Sequence, residues 1–207
     1  MSKIILDLCG GSGAWSKPYK DNGYDVKIIT LPEHDVLTYE PPDNVYGILA
    51  APPCESFSNV GRGKKIINQS MDIETGLSIV NACLKIIEKC NPVFWALENP
   101  AMGNLKKYIG QPTMKFQPYQ FGDGWCKYTA IWGKFNIPEF THTWETATKY
   151  DLYIRKGRKR PSLVFSHKSA AQKIPQFHKY LEHIKTDYDF RSIIPQGFAN
   201  AFYAANQ

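Results

Sequence analysis

The chain has 207 residues, enough to bury one good core, so a single domain with at most a small appended lobe is expected. Hydrophobic residues make up 43% and charged residues 21%, proportions that exclude a disordered chain. No apolar run approaches the ~18 residues of a membrane span. The formal charge of +6 favours a polyanionic partner, since neutralised phosphates release counterions on binding.

The start, MSKIILDLCGG, runs straight into a strand pattern rather than a cleavable leader, so a soluble, cytoplasmic protein is expected. KIILDL at 3–8 reads as a short buried strand, followed by the glycine turn CGGSGAWS and a short helix. DVKIIT at 25–30, VYGILA at 45–50 and VFWALE at 93–98 are three further apolar strands. Between the last two, Ile73, Leu77, Val80, Leu84 and Ile87 fall on one face of a helix that Asn91-Pro92 ends. Strands alternating with helical segments predict an α/β fold, Rossmann-like, with a mostly parallel sheet and ligands beyond the C-terminal strand ends.

After Pro100, MKFQPYQFG and KYTAIWGKF predict a late antiparallel hairpin around an Asp123-Gly124 turn. Residues 1–135 thus form a core and 136–190 a polar, aromatic-rich appended region. The last stretch, 191–207, holds a closing helix that packs on the core.

Five cysteines are odd in number and lack a Cys-x-x-Cys pair, so neither a disulfide framework nor a zinc site is expected. No metal is assigned, and Cys83 and Cys90 read as apolar-face residues of the long helix. DLCGGSGAW is either a cradle for a nucleotide-like ligand at a helix N-terminus or simply a tight turn. In APPCESFS, prolines hold Cys54 rigidly at a strand end, which suits a nucleophile better than a buried filler. The following loop, with Arg62, Lys64 and Lys65, suits either closure over an anionic substrate or a solvated crossover. Glu98 ends a buried strand, where an acid is paired, functional or a cap for the next helix. IRKGRKRPS concentrates Arg155, Arg158 and Arg160 in a segment that either contacts phosphates or is merely solvated.

A glycine loop at the first strand, Pro-Pro-Cys at the third and Glu-Asn-Pro at the fourth, in that order, resemble the cytosine-5 DNA methyltransferases. DLCGGSGAWS is similar to the family's S-adenosylmethionine loop, PPCESFS to its cysteine motif, LENP to its glutamate motif and QFGDGWCKYTAIW to its late basic hairpin. RSIIPQGFANAF is similar, more loosely, to its closing segment. The resemblance implies an enzyme of bacterial or phage type that transfers a methyl group from S-adenosylmethionine to carbon 5 of cytosine in DNA. Protective, regulatory and restriction-modification roles share that chemistry.

By the same resemblance Cys54 is the nucleophile, Glu98 its acid partner, and Lys127 stands where the first of two arginines usually does. Asp7, Cys9, Gly10, Gly11, Gly13, Trp15, Asp35 and Pro52 would hold the cofactor. Glu33 is an alternative to Asp35 at the ribose. Ser58, Arg62, Lys64, Lys65, Arg155, Arg158 and Arg160 would hold the substrate. The expected partner is DNA with the cytosine flipped from the duplex, bound by a monomer without membrane or metal. Cys9 departs from the aromatic many members carry, and the short region 136–190 leaves little room for reading base sequence. RNA or a free cytosine nucleotide as substrate, or an inactive nucleic-acid-binding protein on the same scaffold, are the alternatives.

Overall fold

A computed structural model of the chain describes residues 2–58 and 72–207. The four expected strands are β1 (Ile4–Leu8), β2 (Asp25–Ile29), β3 (Val45–Ala50) and β4 (Phe94–Pro100). They lie side by side in the order β2-β1-β3-β4, all parallel. β1, β3 and β4 are apolar runs that bury most of their length, the pattern of strands covered on both faces. Beyond them come β5 (Met114–Phe116), the two-residue β6 (Asp123–Gly124) and β7 (Thr129–Lys134). β7 joins the sheet between β4 and β5, antiparallel to both, so the α/β, Rossmann-like sheet with a late antiparallel element is as expected.

The tight hairpin turn expected at Asp123-Gly124 is absent. Those two residues form β6, which pairs in parallel with β8 (Thr148–Lys149). The cause is burial. Asp123 accepts hydrogen bonds from Gln176 Nε2 at 2.6 Å and from the Gly197 amide at 3.0 Å. Gly124 lies so close to the Thr148 carbonyl that a Cβ there would sit 1.7 Å from its oxygen. A solvent-facing turn makes neither contact.

The helices are α1 (Lys17–Asp21), α2 (Ile73–Cys90), α3 (Lys106–Ile109), α4 (Asp187–Ser192) and α5 (Gln196–Ala205). α2 is capped by Asp72, which accepts from the Thr75 amide at 2.7 Å, and ends at Asn91 in the left-handed conformation. Four of the five residues of the expected face pack on the core, Val80 and Ile87 buried and Leu77 and Leu84 partly so, joined by Gly76, Cys83 and Ile86, whereas Ile73 is 37% exposed. The helix comes close to the Cys54 loop at Gly76, where a Cβ would meet the Ser56 hydroxyl at 2.5 Å.

α2 covers one face of the sheet through Leu6, Leu8, Ile48, Ala50 and Leu97. α1 and α5 cover the other, where Phe198 stacks on Phe116 at 4.0 Å and Phe202 packs edge-on to Trp15 and Phe94. A third cluster gathers Trp125, Leu163, Phe177 and Phe190, most of it from the stretch after β8. Among the described residues no helix is long and apolar enough to cross a membrane.

β7 reaches its place through Gly133, whose φ is +146° and whose missing side chain leaves room for the Trp95 carbonyl oxygen, 2.1 Å from where a Cβ would stand. Gly133→Ala should destabilise the fold by about 3 kcal/mol, read as a lowered midpoint in chemical denaturation with an unchanged slope.

Candidate active site

Ile29, Leu8, Ala50 and Leu97 are register partners across four strands. The residues that follow them, Thr30, Cys9, Ala51 and Glu98, therefore emerge together at one end of the sheet. A cavity of about 1080 Å³ opens there.

Cys54, Glu98 and Lys127 all line it. So do Asp7, Cys9, Gly10, Gly11 and Trp15 from the first turn, Asp35 from the segment after β2, and Pro52 and Ser58 on either side of Cys54. Asp35 faces the cavity and Glu33 does not. Gly13 lies beneath the turn with φ +68°, and Ile28 Cδ1 is 2.5 Å from where its Cβ would be. Arg155, Arg158 and Arg160 are not among the lining residues. Arg155 and Arg158 stack on Phe165 at 4.5 and 5.6 Å, and Arg160 lies 4.9 Å from both the Tyr119 and Trp144 rings. Arg62, Lys64 and Lys65 fall outside the described residues.

The Cys54 loop is fixed from three sides. Its carbonyl accepts from the Phe57 and Ser58 amides at 3.1 and 2.8 Å, closing a turn. Phe57 is fully buried beneath it, and its carbonyl accepts from the Asn104 amide at 2.8 Å. Asn99, next to Glu98 on β4 and fully buried, donates through Nδ2 to the Pro52 carbonyl at 3.1 Å. Cys54 and Glu98 are thereby held in one frame.

Glu98 is 7% exposed and its Oε1 lies 3.8 Å from Lys127 Nζ. Burial pushes the Glu98 carboxyl up, and Lys127 opposes that shift. Cys54 is pushed up to about 11, first by burial and then by the Glu98 charge, with Lys127 pulling it down. At neutral pH the resting thiol keeps its proton, and the charge on Glu98 is part of the reason. On the opposite wall Asp7 is fully buried and pushed up to about 6 by burial, although Ser16 Oγ donates to its Oδ2 at 2.5 Å.

Among the described residues five buried side-chain polar atoms lack a hydrogen-bond partner, and four belong to this end of the sheet: Asp7 Oδ1, Trp15 Nε1, Glu98 Oε1 and Asn99 Oδ1. Buried polar atoms are rarely left so, and their grouping marks a place built to be completed by a ligand. No heavy atom lies within 4 Å of the point where a Gly11 Cβ would be, so the backbone there is open to close approach. No group of three or more potential metal ligands occurs among the described residues.

α4 supplies a wall that the sequence did not disclose. Tyr188, Asp189, Arg191 and Ser192 line the cavity, and Ser192 offers its carbonyl to Lys127 Nζ at 3.5 Å. The Tyr188 hydroxyl meets the Cys54 backbone, and burial first, then the charges of Cys54, Glu55 and Glu98, push its pKa up. His34 and Thr75 were also missed. The one local signal was the capping box from Thr186 to Asp189, which announces a helix start but not where the helix docks.

If the Glu98 charge holds the Cys54 proton on, Glu98→Gln lowers the Cys54 thiol pKa and Lys127→Met raises it. The rate of Cys54 alkylation by iodoacetamide, followed by peptide mass spectrometry across alkaline pH, should show midpoints moving in opposite directions.

No family model matches the chain. In sequence it is 32% identical over 142 residues to a viral protein named "Probable DNA (cytosine-5)-methyltransferase", from Frog virus 3 (isolate Goorha). The match takes in 62% of this chain and 64% of the viral protein, a little under two thirds of the relative's length. Among solved structures, a protein encoded within an E. coli prophage and provisionally named a DNA modification methyltransferase superposes with a TM-score of 0.46 at 16% identity, covering 78% of this chain and 53% of that one. The DNMT2 of Spodoptera frugiperda superposes with a TM-score of 0.39 at 18% identity, covering 77% and 57%. The motif order and the viral match point the same way: over the matched residues this chain is similar in sequence to a protein named as a probable DNA (cytosine-5)-methyltransferase.

Proposed function

We propose that the chain transfers a methyl group from S-adenosylmethionine to carbon 5 of cytosine in DNA, with Cys54 as nucleophile and Glu98 as its acid partner. The observation that carries this reading is the burial of Glu98 and Lys127 as a pair at 3.8 Å, in the same cavity as Cys54. The residues of the opposite wall fit the cofactor: Gly11 offers bare backbone, Gly10 packs on Asp7, Asp7 and Trp15 offer unpartnered polar atoms, and Asp35 and Pro52 also line the cavity. When bound, S-adenosylmethionine supplies an electrophilic methyl group.

The protein's own part is to make carbon 5 nucleophilic. Cys54 sulfur adds to ring carbon 6, and the electron pair displaced from the 5,6 double bond becomes available at carbon 5. Negative charge that would collect on the ring is relieved when Glu98, whose protonated form burial favours, donates to ring N3. A base seated at N3 selects that protonated form, so the carboxylate charge that raises the Cys54 pKa is lost while Lys127 continues to favour the thiolate. Substrate binding thus arms the nucleophile. Once carbon 5 has been substituted, loss of its proton restores the double bond and expels Cys54.

The three arginines held on aromatic rings away from the cavity suit phosphate contacts made at a distance from the reacting base. The region 136–190 that carries them serves, on this reading, as a reduced target-recognition element, and residues 1–135 with the closing helix as the catalytic unit. Discrimination between base sequences is then slight.

Labelled methyl transfer from S-adenosylmethionine to unmethylated plasmid DNA tests the assignment, with label expected in 5-methylcytosine and abolished by Cys54→Ala in a folded protein. No label in DNA, with strong transfer to RNA or dCMP instead, would give the cavity a different cytosine substrate. A second expectation concerns Asp7, whose carboxyl titrates near 6. If its charged form holds the cationic amino-acid end of the donor, calorimetric affinity falls about tenfold per pH unit below that value and is level above it. Asp7→Asn should flatten the profile.

A further inference from the structure

The scattered cysteines include one pair that meets. The Cys83 and Cys9 side chains are hydrogen-bonded to each other, although one belongs to α2 and the other to the turn after β1. Cys83 is fully buried in the layer beneath the sheet. Cys9 packs against that layer on one side and lines the cavity on the other. Its backbone is pinned in the left-handed region, φ 55°, with its amide donating to the Ile29 carbonyl at 2.8 Å. Of the two residues, Cys9 lines the cavity and Cys83 does not and has no exposed surface. Thiols already in hydrogen-bond contact need only a small approach to reach disulfide distance.

We propose that Cys9 and Cys83 form a reversible dithiol modification site, open through the cavity to hydrogen peroxide. The Cys9 thiolate attacks a peroxide oxygen; an S–O bond forms, the O–O bond breaks, and the departing oxygen leaves as water once protonated. The Cys83 sulfur then attacks the Cys9 sulfur, the S–S bond forms as the S–O bond breaks, and the hydroxyl leaves as water with the Cys83 proton. Two thiols lose two electrons in total and one peroxide becomes two waters. Because Cys83 is sealed in the core, Cys9 reacts first and Cys83 resolves. The bond ties the glycine turn to α2 and so alters the cavity wall at Gly10 and Gly11. The site stands independently of the methyltransferase reading.

The test is peptide mapping of wild-type protein treated with hydrogen peroxide, alkylated and digested without reductant. The expected product joins the Cys9 peptide to the Cys83 peptide and disappears with dithiothreitol. In Cys83→Ala, Cys9 should instead accumulate as a sulfenic acid trapped by dimedone. Should that variant not fold, Cys9→Ala serves in its place, and Cys83 should then stay reduced. Oxidation of Cys9 without the Cys9–Cys83 link in wild-type protein, or a Cys9 as resistant to peroxide as Cys83 is in Cys9→Ala, overturns the proposal.

Discussion

Everything at the cavity depends on one row of backbone register. Parallel strands paired at Ile29, Leu8, Ala50 and Leu97 bring the residues that follow to one level; β1, β2 and β3 end there, while β4 runs on to Pro100 against β7. A one-residue slip would turn each departing side chain to the opposite face. The apolar character of these four residues is therefore what positions the polar ones after them. Cys9 and Ala51 are tied back by amide bonds to the Ile29 and Leu8 carbonyls, which extends the row one step into the loops.

Charge at this end of the sheet follows from the same burial. Asp7 and Glu98 are acids that the fold places where ionisation is unfavourable, and each has an oxygen without a hydrogen-bond partner. Left alone, such groups cost stability, and a buried pair such as Glu98 and Lys127 rarely repays its desolvation. The fold retains them in the one region where a bound molecule could complete their hydrogen bonds. Asp123 offers a contrast, because its carboxyl is also pushed up to about 6 yet both oxygens are satisfied, and it joins the last helix to the strand it belongs to. The same perturbation thus has a structural account at Asp123, and the unsatisfied atoms set Asp7 and Glu98 apart from it.

The strands were legible because short apolar runs bounded by glycine and proline have few other readings, and the turns after Leu8 and Ala50 were legible because their composition is unusual. What failed depended on partners distant in sequence. Asp123-Gly124 has the composition of a hairpin turn, but Gln176 and Gly197, more than fifty residues on, draw it inside. Ile73 fits the helical spacing, yet as the first residue of α2 it stays 37% exposed while Val80 and Ile87 are buried. The wall of the cavity formed by α4 could not be read from its own residues, since the helix is short, polar on its exposed side and docked by Phe190 into a cluster assembled from the rest of the chain.

α5 has a consequence for how the molecule reaches this state. Phe198 and Phe202 complete a layer that includes Ile5, Trp15 and Tyr19, encoded almost two hundred residues earlier. The Tyr19 hydroxyl donates to the Asn206 carbonyl at 3.1 Å across a separation of 187 residues. Until that distant segment arrives, one side of the central strands remains without its cover. Folding therefore waits on contacts of the longest range, which places the molecule among slow folders and exposes an aromatic surface to aggregation while it waits.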